Sequence, residues 1–217
     1  MTEVDAPDRK ELDRLVFFSD AVIAIAITLL ALELPVPEHV TNDAAAWHSL
    51  AESGGAYLMF LISFLIIGGF WRAHHGLFRH VTSLSRGLLF RNLICLLFIT
   101  LIPWASKVLN DANDTQPGPV IYAAVLGGVG WTFLLLLDGV ARGKLLAADT
   151  PPRMLREFRQ RVGLPALVFT LSIPLAFLVS PQACSLSWIS LAVLMPVAAQ
   201  LGRRQDRRRT ERGLEPA

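Results

Sequence analysis

An aspartate about one turn inside an otherwise apolar run is the first group in this chain that could do chemistry. Asp20 follows Ser19 within Arg14 to Leu34, RLVFFSDAVIAIAITLLALEL, where no base lies between Phe17 and Leu32. An ionisable group at that depth in hydrocarbon is costly unless it faces protein or water, and intramembrane acids mark ion and proton routes. His74, His75 and His80 are the other candidates. Beside a carboxylate they could form a metal site or a proton relay, but adjacent histidines lack the i, i+4 spacing that puts two ligands on one helical face. A satisfied interfacial histidine is the simpler reading, and neither a resident metal nor a cofactor is expected. Cys95 lies midway along an apolar run and Cys184 in a short loop, a poor match for a disulfide or metal pair. With no nucleophile, phosphate loop or paired carboxylates, the chain does not read as an enzyme.

The elements that position these groups follow from composition. Of 217 residues 53% are hydrophobic and 18% charged, against a charged share of about 25% in soluble domains. Mean hydropathy is +0.48. The chain reads as an all-α integral membrane protein, one domain over 1–217, with six spans at about 15–34, 54–71, 88–106, 119–137, 162–180 and 185–201. The first span is too long for a signal peptide and no small-residue cleavage site follows it. Pro103, Pro165, Pro174 and Pro196 fall inside spans and are expected to kink them. Gly127, Gly128 and Gly130 make the fourth span a close-packing surface. Met154 to Arg161 is either a short interfacial helix or an extension of span five.

Charge orients the bundle. Nineteen of the twenty Lys and Arg residues fall at the N-terminus, after span two, between spans four and five, or after span six; only Lys107 lies in the alternate loops. The positive-inside rule makes the first set cytoplasmic, so both termini face inward and the span count is even. The basic tail 203–217 needs no nucleic-acid partner, since retaining a cytoplasmic end calls for the same arginines.

A helical wheel at 100° per residue, with Ile25 as zero, puts Phe18, Val22, Thr28, Leu29 and Leu32 within about 60°, while Asp20 lies about 140° away. The first helix therefore carries an apolar stripe facing either lipid or a central cavity, and its acid is nearly opposite. Ala21, Ala24, Ala26 and Ala31 are small enough to admit neighbouring helices. Donors for Asp20 stand at similar depth: Arg14, the Trp71 indole, a histidine of the FWRAHHGLF run, or Asn92. A buried hydrogen-bonded knot is expected there. Glu33, near the end of span one, and Glu38, in a loop without bases, either enrich cations at an outer mouth or simply solvate the loop.

The run Arg14-Leu-Val-Phe-Phe18-Ser19-Asp20, an R-x-x-x-F-S-D pattern leading into AVIAIAITLLALEL, resembles the first helix of the transmembrane protein 175 family, the endolysosomal potassium channels and their prokaryotic relatives. FWRAHHGLF and RNLICLLFITLIPW resemble that family's second and third helices. The resemblance covers the first half of the chain by motif and the second half only by span count. It implies six spans per repeat, and for a single-repeat chain a homotetramer in the cell membrane with its first helix lining the pore. Ile25, five residues after the motif aspartate, becomes the constriction, with Thr28 or Leu29 and then Leu32 one and two turns on. Arg14, Phe18, Ser19 and Asp20 of the motif, with Trp71, His74 and Asn92, become an interhelical network. The permeant ion that the resemblance implies is potassium.

No TVGYG-like loop of carbonyls is present, so an apolar neck would select by partial dehydration, which costs less for potassium than for sodium. The alternative is a proton-coupled secondary transporter in which Asp20 and His74 titrate. Six spans are few for an inverted-repeat carrier, and no paired broken helices recur in the two halves.

Overall fold

The structure is a computed structural model that describes residues 6–37 and 41–211, with side chains from Arg9 to Pro37 and from Thr41 to Gly202. Its elements are α1 (Ala6–Leu29), a single 3-10 turn (Leu30–Glu33), α2 (Asp43–Glu52), α3 (Gly54–Phe78), α4 (Arg86–Thr100), α5 (Ile102–Asp111), α6 (Pro117–Arg142), α7 (Pro152–Leu178), α8 (Pro181–Ser187) and α9 (Ser190–Glu211). Six stretches are long and apolar enough to cross a membrane, with α4–α5 and α8–α9 each making one broken span. Among the described residues there is no strand. One isolated bridge, Val81 with Leu146, joins the α3–α4 and α6–α7 connections through Thr82 N–H to Leu145 O (2.8 Å) and Ala147 N–H to His80 O (2.9 Å).

Local chemistry places the ends. Asn42 and Ser85 cap α2 and α4, accepting from the amides of Ala45 (2.9 Å) and Leu88 (3.1 Å). The 3-10 turn stops at Leu34, which is extended (φ −71°, ψ 131°) because the following Pro35 disfavours the α region in the residue before it. Pro103 breaks the third span: its ring cannot donate to the Ile99 carbonyl, so α4 ends at Thr100 and α5 restarts at Ile102.

Two features differ from the sequence expectation. The loop after the first span holds a helix, α2, and the segment 181–184, expected as loop, begins α8. Of the two readings of Met154 to Arg161, the structure has the extension of span five: these residues are the first part of α7, which runs unbroken through Pro165 and Pro174. Residues 203–211 of the basic tail continue α9, and 212–217 lie outside the described residues.

At the centre of the protomer stands α6, packed on α4, α5, α7 and α8. Water expulsion does not drive helices together in lipid, so close backbone approach must. A Cβ on Gly130 would lie 2.6 Å from the Ala166 Cβ and 2.9 Å from the Val162 carbonyl oxygen of α7. Gly127 likewise faces Thr170, while Gly128 receives the Phe98 ring of α4. On this frame α1 leans against α3, α4 and α5.

Gly130→Leu should force α6 from α7 and cost about 1–3 kcal/mol, read as a lowered thermal midpoint of the detergent-solubilised protein. Gly68→Ala, where a Cβ meets nothing within 4 Å, should leave the midpoint near that of the parent.

Candidate functional site

Two stripes divide α1. Leu12, Leu15, Ser19, Ile23, Ala26 and the adjoining Leu30 are buried, a spacing of three and four residues that forms one core-facing line. Phe18, Ile25, Leu29 and Leu32 stand exposed on the protomer at 50%, 58%, 40% and 78%. Beside them run the exposed small residues Ala21, Ala24, Thr28 and Ala31, while Ala26 is packed inside. The Thr28 hydroxyl donates to the Ile25 carbonyl (2.9 Å), so its polar group is satisfied within the helix.

The buried stripe is pinned by a polar chain. His74 and Asn92 are linked through Nε2 and Oδ1 (2.8 Å), Asn92 Nδ2 donates to Ser19 Oγ (2.9 Å), and Ser19 Oγ donates to the Leu15 carbonyl (2.8 Å). A carbonyl only accepts, so every bond in the chain runs one way: Ser19 must take the Asn92 proton, and His74 must donate from Nε2. Ser19, His74 and Asn92 are each 0% exposed. His74 stacks on Phe78 at a centroid distance of 4.3 Å and meets Phe133 edge-on. Three helices, α1, α3 and α4, thus share one line of hydrogen bonds.

Asp20 stands outside that line. It accepts from Trp71 Nε1 at 2.9 Å, at a half-exposed position. The single buried knot expected from the sequence is therefore two sets of bonds. Ser19 lies at the middle of the core stripe, whereas Asp20 is about 95° round from it, at the border with the exposed face. Arg14, expected as a partner, is exposed and makes no hydrogen bond or ion pair among the described residues. Arg14 lies six residues before Asp20, about 9 Å along the axis and about 120° round it, so the two side chains point apart. Phe18 likewise takes no part and stands on the exposed stripe. His75 stacks on Trp71, and His80 bonds to the Gly76 carbonyl at 3.0 Å.

At the other end of α1, Glu33 is paired. Lys107 Nζ lies 3.1 Å from its carboxylate and 3.7 Å from that of Asp111, so the lone base on that side offsets its charge. Glu38 lies outside the described residues. Among those described, no group of three or more His, Cys, Asp or Glu could hold a metal.

Sequence reasoning missed two further polar knots. Ser63 Oγ lies 3.0 Å from Ser106 Oγ and 3.2 Å from the Tyr122 hydroxyl, joining α3, α5 and α6. Trp188 Nε1 donates to Ser172 Oγ (2.9 Å), tying the break between α8 and α9 to α7. Polar residues in mid-span were the available signal.

The family model described as Endosomal/lysosomal potassium channel TMEM175 matches residues 14–103. A potassium channel of Streptomyces collinus is 32% identical over 176 residues, 79% of this chain and 85% of that one. A potassium channel of Chamaesiphon minutus is 30% identical over 78% of this chain and 88% of its own. A crystal structure titled as a lysosomal potassium-selective channel TMEM175 homologue from Chamaesiphon minutus aligns with a TM-score of 0.66 and 22% identity, covering 86% of this chain and 97% of that one.

Asn92→Leu should strand His74 Nε2 in an apolar interior and cost about 1–3 kcal/mol of stability. Trp71→Phe, which removes a half-exposed bond, should cost less. Thermal unfolding of the two variants side by side in one detergent checks the order.

Proposed function

The chain belongs to the TMEM175 family, a family of ion channels and not of enzymes, and from that premise we propose that this multi-pass plasma-membrane protein is a potassium-permeable cation channel formed by four copies of one six-span unit. The observation that carries the reading is the pair of exposed strips on α1. Ala21, Ala24 and Ala31 offer the small side chains that let a neighbouring helix approach closely, and packing there would turn the adjacent Phe18, Ile25, Leu29 and Leu32 toward the fourfold axis.

A ring of four Ile25 side chains then forms an apolar neck, with Thr28 or Leu29 and Leu32 continuing the wall. Passage requires an ion to shed part of its water, which favours the more weakly hydrated potassium over sodium by a modest factor. The same ring closes by dewetting after a small inward lean of α1, a gate without charged parts. Ser19, Asn92 and His74 set the rotation of α1 that aims Ile25, and the Asp20–Trp71 bond braces the border of the two faces. The arginine-rich end lies in the cytoplasm by the positive-inside rule. A transport cycle through Asp20 and His74 gains no support, because the two belong to separate sets of bonds.

Purified protein in liposomes should pass potassium down its own gradient without an imposed proton gradient, sodium more slowly, and a large organic cation not at all. Ile25→Asn should lower the potassium-to-sodium flux ratio several-fold; an unchanged ratio removes Ile25 from the neck.

A further inference from the structure

A crevice of about 610 Å3 lies between α3, α7 and α9, apart from the face of α1 discussed above. Its interior is apolar, formed by Ile66 and Phe70 of α3, Phe158, Val162 and Phe169 of α7, and Met195 of α9. From Arg161 to Phe169 it follows α7 for about 12 Å at the rise of an α-helix. Along α3 it is wide: a Cβ on Gly69 or Gly76 would meet nothing within 4 Å.

Its rim is cationic. Arg72 follows the apolar stretch of α3 that ends at Trp71, and Arg161 precedes the apolar stretch of α7 that begins at Val162. Both guanidiniums therefore stand where hydrocarbon gives way to water, at the same end of the bundle. Both residues are exposed, and neither forms an ion pair among the described residues. Glu157, the one acid of the rim, already accepts from Arg153 Nε at 2.7 Å. A second hollow of about 290 Å3, lined by Arg153 and Arg156, shares Glu157, Arg161 and Met195 with the first and extends the positive surface.

An apolar slot beneath an arginine rim, placed at leaflet depth, complements an acyl chain carrying an anionic phosphate. Guanidinium meets phosphate through charge-assisted, often bidentate hydrogen bonds, and basic pockets between membrane helices select anionic headgroups. A choline headgroup would bring a fixed cation to the same rim. We propose that this crevice binds an anionic glycerophospholipid of the adjoining leaflet, with Arg72 and Arg161 holding the phosphate and the Gly69–Gly76 face of α3 receiving an acyl chain. The bound lipid bridges α3 to α7, two helices on opposite walls of the slot.

Native mass spectrometry of the full-length protein, incubated in detergent with phosphatidylglycerol or phosphatidylcholine, tests the site. Phosphatidylglycerol should be retained in preference. The double variant Arg72→Gln/Arg161→Gln should bind it on the order of twenty-fold more weakly, while Arg79→Gln/Arg86→Gln, with the same loss of charge elsewhere, should bind as the parent does. Gly76→Leu should weaken retention with the rim intact, and excess glycerol 3-phosphate should not displace the lipid. Equal retention of the two lipids, equal loss in both double variants, or displacement by glycerol 3-phosphate alone overturns the proposal. So does efficient crosslinking of Gly76→Cys between subunits by a short bismaleimide, which would show a second copy in the slot.

Discussion

A polar group in hydrocarbon must find its partner inside the protein, and in this molecule that requirement falls on Ser19, Asn92 and His74. Each is wholly buried, and each has a bond that only the neighbouring helix can supply. Ser19 gives its own proton to the Leu15 carbonyl of the same helix, so its link to the bundle is the bond it accepts from Asn92 of α4, which turning α1 about its axis would break. The rotation of α1 is thereby tied to α3 and α4. Its exposed side follows from that one constraint, since a helix with one face pinned inward has no freedom in what it presents outward. Under the proposed function, the same three residues aim the constriction without touching an ion.

The rest of the bundle supplies a rigid backing for that helix by means suited to lipid. Apolar side chains gain little by leaving one hydrocarbon for another, so contact depends on fit and on polar links. Glycines of α6 bring α7 and α4 close, the serine-tyrosine knot fastens α3 and α5 to α6, and the Trp188–Ser172 bond fastens the break between α8 and α9 to α7. Arg91 completes the α4–α6 contact by laying its stem over Gly139 and donating to the Leu135 carbonyl at 2.8 Å. Prolines are placed where this scaffold tolerates them: Pro103 at a restart between two helices, and Pro165 and Pro174 in a helix held along its length by α6.

Charge is divided between the two ends in different ways. At the arginine-rich end Arg72 and Arg161 stand exposed, and α3, α7 and α9 part there to leave a crevice of about 610 Å3. At the opposite end the one lysine is used up on Glu33 and Asp111, joining the end of the first span to α5. An acid matched by a base contributes little field of its own, so under the proposed function any preference for cations falls on the neck and not on that pair.

Length and hydropathy alone determined that the chain crosses a membrane six times, because a span is a local property of about twenty consecutive residues. The 100° period likewise determined that Phe18, Ile25, Leu29 and Leu32 share a side of one helix, and the resemblance carried by runs in the first three spans pointed to the family to which the chain belongs. Only the tertiary structure decided that Ser19 and not Asp20 enters the buried chain, that Arg14 stays outside it, that Lys107 answers Glu33, and that a slot opens between α3 and α7. Each of these depends on how far apart two helices lie and how each is turned. Those quantities are set by glycines and knots many residues away, and no pattern within a single span encodes them.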